Sequence, residues 1–145
     1  MKFMSIAIDE AKAAYSENEV PVGAVIVCNG KIVASEHNRT ESECDATSHA
    51  EVNAIKSACK KLGSKYLDDC EMYVTLEPCP MCAGAIINSK IKRVYIGAPE
   101  PRSGCCGSVF NLTGSGAFNH SPEVYHGISE DECKAIMKKF FSVRR

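Results

Sequence analysis

The run Met72-Tyr73-Val74-Thr75-Leu76-Glu77-Pro78-Cys79-Pro80-Met81-Cys82-Ala83-Gly84-Ala85-Ile86-Ile87 carries a complete strand-to-helix transition. Met72 to Leu76, rich in β-branched and large apolar residues, reads as a buried strand. Pro80 suits the first turn of a helix, where its missing N–H costs nothing, and Ala83 to Ile87 continue that helix. Cys79 and Cys82 then stand three apart at a helix start, with both thiols on one face of the first turn. Side chains there lean towards the helix N-terminus, where free N–H groups and the positive dipole end lower a thiol pKa. Two thiolates are therefore expected at one point, just beyond a strand.

Outward from this stretch the remaining elements follow by pattern. Phe3, Ile6, Ala7, Ala11, Ala14 and Tyr15 recur at helical spacing, and Pro21 marks the end of that first helix. Val22 to Cys28 is apolar, and Asn29-Gly30 separates it from Lys31-Ile32-Val33-Ala34, a strong signal for a type I′ hairpin. Residues 36–46 read as a loop. A second helix is expected from Thr47 or Ser48 to Leu62, with Val52, Ile55, Cys59 and Leu62 inward and Gly63 as its stop. Arg93 to Gly97 reads as a further strand, and residues 98–108 as a Gly/Pro/Ser loop. Ser129 and Glu132 have the spacing of a capping box before a last helix whose apolar stripe is Cys133, Ile136, Met137, Phe140 and Phe141. Helix, hairpin, then helix–strand–helix–strand predicts an α/β sandwich around one mixed sheet. Gly23 and Gly97, at strand positions, are expected to mark close packing rather than phosphate binding.

His49-Ala50-Glu51 stands thirty residues before Cys79. One imidazole and two thiolates give three zinc ligands, one short of a closed tetrahedral structural site. Zinc with an open position lowers the pKa of water towards 7 and so makes a nucleophile at neutral pH. Glu51 is suited to move protons there as a general acid and base, and a fourth protein ligand at Glu51 would close the site. Positions i and i+2 do not share a helix face. His49 and Glu51 can meet one metal only if the site lies beyond the helix N-terminus, with both helices aiming their N-termini at it. Half of a zinc ribbon would require a second C-x-x-C, which the sequence lacks. C-P-M-C also has the spacing of a thioredoxin-like redox pair, but a disulfide exchanger has no use for His49 and Glu51.

At 145 residues the chain is expected to form a single domain, residues 1–145, with a proper core. No apolar run approaches the ~20 residues of a membrane-spanning helix, and Met1 to Ser5 lead straight into an amphipathic pattern. A cytoplasmic location with no membrane partner is the expectation. Nine cysteines, an odd count, cannot all pair within one chain, so most are read as small buried hydrophobes. Cys105-Cys106, in a Gly-rich loop, is expected to be the more reactive pair. Net charge is −1, which excludes a global nucleic-acid footprint. Lys134, Lys138, Lys139, Arg144 and Arg145 form one basic group, and Lys90, Lys92, Arg93 and Arg102 another. Both are read as solvated faces. His37, His120 and His126 are read as surface or loop residues.

H-x-E…P-C-x-x-C is the known signature of zinc nucleobase deaminases. Around it, Glu19 to Val25, His37-Asn38-Arg39, Thr47 to Glu51, Tyr73 to Ile86, Arg93 to Ala98 and Phe140-Phe141 resemble the bacterial tRNA-specific adenosine deaminases of the TadA type, within the cytidine deaminase-like superfamily. The zinc motif is shared across base deaminases, whereas the longer Thr75–Ala85 stretch is selective for this family. The resemblance implies a three-layer α/β/α sandwich around one mixed five-stranded sheet. It implies one Zn2+ per subunit on His49, Cys79 and Cys82, with Glu51 catalytic. Asn38, Val22, Ala50, Glu100 and Phe141 would then bind substrate. It also implies a homodimer acting on the anticodon loop of an arginine tRNA, whose wobble adenosine becomes inosine with release of ammonia.

The chain departs from that pattern where relatives carry an arginine and an aspartate after the Gly-Ala of Gly97-Ala98; here they are Pro99 and Glu100. Cys105-Cys106 replaces small residues, and Asp45-Ala46 lacks a proline. Two other functions share the zinc motif. One is deamination of a free base or nucleotide of the guanine or cytidine type. The other is a non-catalytic RNA-binding module with structural zinc, for which Cys44 is the nearby candidate fourth ligand.

Overall fold

The computed structural model describes residues 2–144. In chain order it runs α1 (Lys2–Ser16), β1 (Gly23–Cys28), β2 (Lys31–His37), α2 (Ala50–Leu62), β3 (Cys70–Leu76), α3 (Pro80–Ser89), β4 (Arg93–Ala98), β5 (Glu123–Tyr125) and α4 (Glu130–Val143). The strands form one mixed sheet of order β2-β1-β3-β4-β5. β1 is antiparallel to both β2 and β3, while β3, β4 and β5 run parallel. A parallel β3–β4 pair needs a crossover, and α3 supplies it.

Alternating residues of the sheet feed two cores. Ala24, Ile26, Met72, Val74, Val94 and Ile96 point towards α2 and α3. Val25, Val27 and Tyr73 point the other way, onto Met4, Ala7 and Ile8 of α1 and Cys133 of α4. The result is the expected α/β/α arrangement, and the period-2 alternation of a strand buried on both faces explains it. Gly23 and Gly97 do mark close approach: a Cβ at Gly23 would overlap the carbonyl oxygen of Ala7, and one at Gly97 the sulfur of Cys133.

The hairpin has the expected turn, with Asn29 at φ 52° and Gly30 at φ 77°. Gly63, at φ 66°, closes α2 by donating its N–H to the Cys59 carbonyl. Several local expectations are corrected. β2 runs on to His37, because that residue pairs with Gly23. The buried face of α2 is Ala50, Glu51, Ala54, Ile55 and Ala58, and Leu62 lies exposed. Alanines on the inner face bring the helix close to the sheet, which leaves the larger apolar side chains at its margin. The capping box of α4 does not form. Ser129 sits in the left-handed region (φ 55°, ψ 41°), not the extended one from which a serine hydroxyl reaches the first-turn N–H groups. β5 is an additional strand, too short at three residues to show a period.

Candidate metal and active site

His49 is the N-cap of α2 (φ −75°, ψ 153°) and Cys79 the N-cap of α3 (φ −74°, ψ 176°). Neither side chain caps its own helix, so both are free to turn into the gap between the two N-termini. Capping by His49 also resolves its spacing from Glu51. The histidine stands just outside the helix and the glutamate in its first turn, so the two converge on one point. The Nδ1 of His49 lies 3.6 Å from Cys79 Sγ and 3.5 Å from Cys82 Sγ. All three ligand atoms fall within 4.8 Å of one another.

These distances fit zinc. Tetrahedral bonds of ~2.3 Å to sulfur and ~2.0–2.1 Å to nitrogen place the two donor types about 3.5 Å apart. Among the described residues no further Cys, His or carboxylate joins the group, and Cys44 is exposed and outside it. Three protein ligands leave one position open, as catalytic zinc requires.

The thiols share their protons unequally. Cys79 is brought down to about 4, chiefly because Cys82 donates to its sulfur, with His49 adding to the effect. Cys82 is held high as the donor, and burial pushes it further. The hydrogen bond with Cys79 raises His49. A thiolate, a second thiol and an imidazole turned towards one another form a donor set suited to a cation, which would take the place of the proton they share. Glu51 is buried, and desolvation lifts its carboxyl to about 7, where it can both take and give a proton near neutral pH.

A cleft of about 250 Å³ opens over this group. Val22, Asn38, Ala50 and Glu100 line it with His49, Glu51 and Cys79, so four of the five expected substrate contacts are brought together. Phe141 is not among them. It stands 46% exposed on α4, in an adjoining groove with Arg102, Lys134 and Lys138. Leu76 and Glu100 border both spaces. Arg145 lies outside the described residues.

Three polar residues that build the site were not singled out from the sequence. Glu19 is fully buried and accepts the N–H groups of Glu41 (3.0 Å) and Ser42 (2.8 Å), behind the Val20–Val22 wall. Asn53 donates to the His37 carbonyl (3.1 Å) and the Ser48 carbonyl (3.3 Å), tying the end of β2 to the start of α2. Glu77 is buried beneath the 99–108 loop. A carboxylate at a covered position marks Glu19 and Glu77, and Asn53 is marked by its bonds to the His37 and Ser48 carbonyls; neither is visible until the chain is folded.

Other expectations are corrected too. His37 is buried, with Nδ1 2.7 Å from Glu10 and Nε2 3.0 Å from Glu17, because β2 carries it under α1. Cys105 and Cys106 are buried, and desolvation raises both thiols, Cys106 to about 12. That is the opposite of a reactive pair. His120 and His126 lie in the loops as expected, bonded to the carbonyls of Ile91 and Cys106.

Residues 1–98 match the family described as the cytidine and deoxycytidylate deaminase zinc-binding region. The tRNA-specific adenosine deaminase of Bacillus subtilis is 48% identical over 139 residues, covering 96% of this chain and 86% of that protein. A solved structure from work on tRNA:A34 deaminases, which carry out A-to-I editing at the wobble position of transfer RNA, is similar with a TM-score of 0.90. It is 42% identical, with 93% of this chain and 98% of that chain covered. The guanine deaminase of Bacillus subtilis is similar with a TM-score of 0.65 and 43% identity, over 68% of this chain and 63% of that one. The three-donor site, the buried glutamate and near full-length identity lead to one assignment: this chain belongs to the tRNA-specific adenosine deaminases, hydrolytic deaminases of the cytidine deaminase-like superfamily.

Proposed function

We propose that this protein is a zinc-dependent hydrolase that converts the wobble adenosine of a tRNA, in the first instance an arginine tRNA, to inosine and ammonia. The observation that carries the chemistry is the placement of buried Glu51 beside the His49, Cys79 and Cys82 donor group, with Glu51, His49 and Cys79 lining one cleft. His49, Cys79 and Cys82 would hold the zinc, which when bound would supply a Lewis acid with an open position for water. Glu51 takes a proton from the water that attacks C6 and delivers it to N1 of the adenine; it then takes the remaining proton from the new C6 hydroxyl and passes it to the amine, so that ammonia leaves as the C6 carbonyl forms. Asn38 and the backbone around Ala50 hold the purine and its ribose, and Val22 packs on the base; all three line the cleft. A cleft of about 250 Å³ suits a single nucleoside, smaller than the ~300–1,000 Å³ of drug-sized sites. One base flipped from a loop is a ligand of that size.

RNA as the substrate is supported by the adjoining groove. Exposed Phe141 offers a face on which a neighbouring base can stack, and Arg102, Lys134 and Lys138 line the same groove. We propose a homodimer as well, for which the face of α3 at Gly84 is open: an added Cβ there would meet nothing within 4 Å. A cytoplasmic location accords with the substrate; among the described residues no helix is long and apolar enough to cross a membrane.

The purified protein, offered an anticodon stem-loop beside free guanine, adenosine and cytidine, tests this directly. Inosine in the stem-loop is the expected product. Turnover confined to the small molecules would replace the tRNA reading with that of a free-base or nucleoside deaminase. Zinc coordination by three sulfurs and one nitrogen, with no turnover of any substrate, would replace it with a structural module.

A further inference from the structure

Glu77 stands two residues before a zinc ligand, is 2% exposed, and does no chemistry in the reaction proposed above. Its carboxylate is fully occupied. Oε1 accepts the N–H of Glu100 at 3.0 Å and the hydroxyl of Ser108. Oε2 accepts the N–H groups of Cys106 and Ser108, each at 3.0 Å. A carboxylate has about four lone-pair sites, so four donors leave none for a substrate or a transferable proton. Every donor belongs to the segment 100–108, which contains no helix and only an isolated bridge at Cys106. That segment lacks a ladder of its own, and the buried carboxylate supplies the missing acceptors.

The same segment forms one wall of the cleft, through Glu100 and Ser103. It lies tight on Glu77: a Cβ at Gly104 would come 2.5 Å from the Glu77 carboxyl carbon and 2.5 Å from the Glu100 carbonyl oxygen. The segment also donates the Cys105 N–H to the Pro78 carbonyl at 2.9 Å, a backbone bond that a change at Glu77 does not remove, while His49 and Glu51 belong to the start of α2 and Cys82 to α3.

We infer that Glu77 is a positioning residue for substrate binding, a buried acceptor that clamps the 100–108 segment into place so that Glu100 and Ser103 complete the cleft. The inference rests on the tRNA reading above for its substrate. Loss of the clamp loosens one wall and leaves the zinc donors and Glu51 in place. Binding should suffer more than chemistry. A role in stability alone would instead lower the active fraction, reducing kcat with KM unchanged.

The chain carries its own reporter of the clamp. Cys105 and Cys106 lie in the clamped segment and are buried, 2% and 3% exposed. The experiment compares zinc-loaded wild-type protein with Glu77→Gln and with the milder Ser108→Ala, which removes only one side-chain donor. It reads zinc content, kcat and KM on an anticodon stem-loop, and the rate of N-ethylmaleimide labelling at Cys105 and Cys106, mapped by mass spectrometry. For Glu77→Gln the expected result is full zinc, KM raised about tenfold or more, kcat within about threefold, and labelling accelerated by at least tenfold. Ser108→Ala should move KM and labelling in the same direction by about two- to fivefold.

A folded, zinc-loaded Glu77→Gln protein with unchanged labelling, or with kcat reduced and KM unchanged, overturns the inference. If Glu77→Gln does not fold, Ser108→Ala decides by the same two criteria. Failure of the tRNA reading shows separately, as wild-type protein that does not deaminate the stem-loop. In that case the labelling rates still decide whether Glu77 holds the segment, and KM is read on the small substrate that is turned over.

Discussion

The Nδ1 of His49 lies 3.5 Å from the Sγ of Cys82, although thirty-three residues separate them and they belong to different helices. The sheet makes this meeting possible. β1 and β2 hold α2 on one side, and β3 delivers α3 to the same end, so the two helix N-termini converge. Each N-terminus contributes positive dipole where anionic sulfur and developing charge are to be held. If these atoms hold zinc, His49→Ala and Cys82→Ser will each lose it, and stoichiometry by atomic emission will fall from one per chain to below about 0.1. Chelation of the wild-type protein should abolish turnover, and added zinc should restore it. Full zinc content in either variant would remove the proposed site.

Glu51→Gln separates metal binding from catalysis. The amide has nearly the shape of the carboxyl but cannot relay a proton. Zinc should be retained, and turnover of the stem-loop should fall by about 10²–10⁴. An undiminished rate in a zinc-loaded variant would falsify the role given to Glu51.

Glu19 sets a pH dependence of stability. Burial alone would raise its carboxyl, but the N–H groups of Glu41 and Ser42 outweigh that and hold it below the ordinary 4.5. Between the depressed folded-state value and 4.5 the unfolded chain binds the extra proton, so stability rises with pH there. The contribution is complete above about 4.5 and is lost as pH falls through the folded-state value. Glu19→Gln should cost about 2 kcal/mol at pH 7, and the difference should shrink on acidification below that range. Urea unfolding of both proteins across pH checks this; a gap independent of pH would show that the charge does not matter.

Gly23→Ala tests the seam between α1 and β1. The new Cβ would overlap the Ala7 carbonyl oxygen and come within 2.8 Å of the Ala11 nitrogen, both backbone atoms that cannot swing aside. Overpacking of this kind should destabilise by about 3 kcal/mol. Urea midpoints provide the measurement, and a loss under ~1 kcal/mol would mean that α1 shifts freely.

Most of the fold was legible because its signals are local. The β1–β2 turn follows from two residues that accept positive φ, and the end of α2 from one glycine. Pro80 fixes the start of α3 for the same kind of reason. Ser129 shows where local reading fails. Its spacing from Glu132 fits a capping box, yet the approach of the chain from Gly127, at φ 78°, turns it into the left-handed region. Cys105 and Cys106 read as an exposed pair because their neighbours are loop-formers. Burial followed from a carboxylate twenty-nine residues away, at Glu77, which accepts the Cys106 N–H.

The sequence by itself singled out the three donors that the fold brings together and the carboxylate proposed to move a proton, because ligand chemistry and helix-start spacing are properties of short segments. Only the tertiary structure decided what is buried with them. His37 between Glu10 and Glu17, Glu19 under Glu41 and Ser42, and Glu77 under the 100–108 segment are all polar groups covered by distant parts of the chain. A buried charge survives only where remote donors reach it. Neither period 2 nor period 3.6 records where those donors come from.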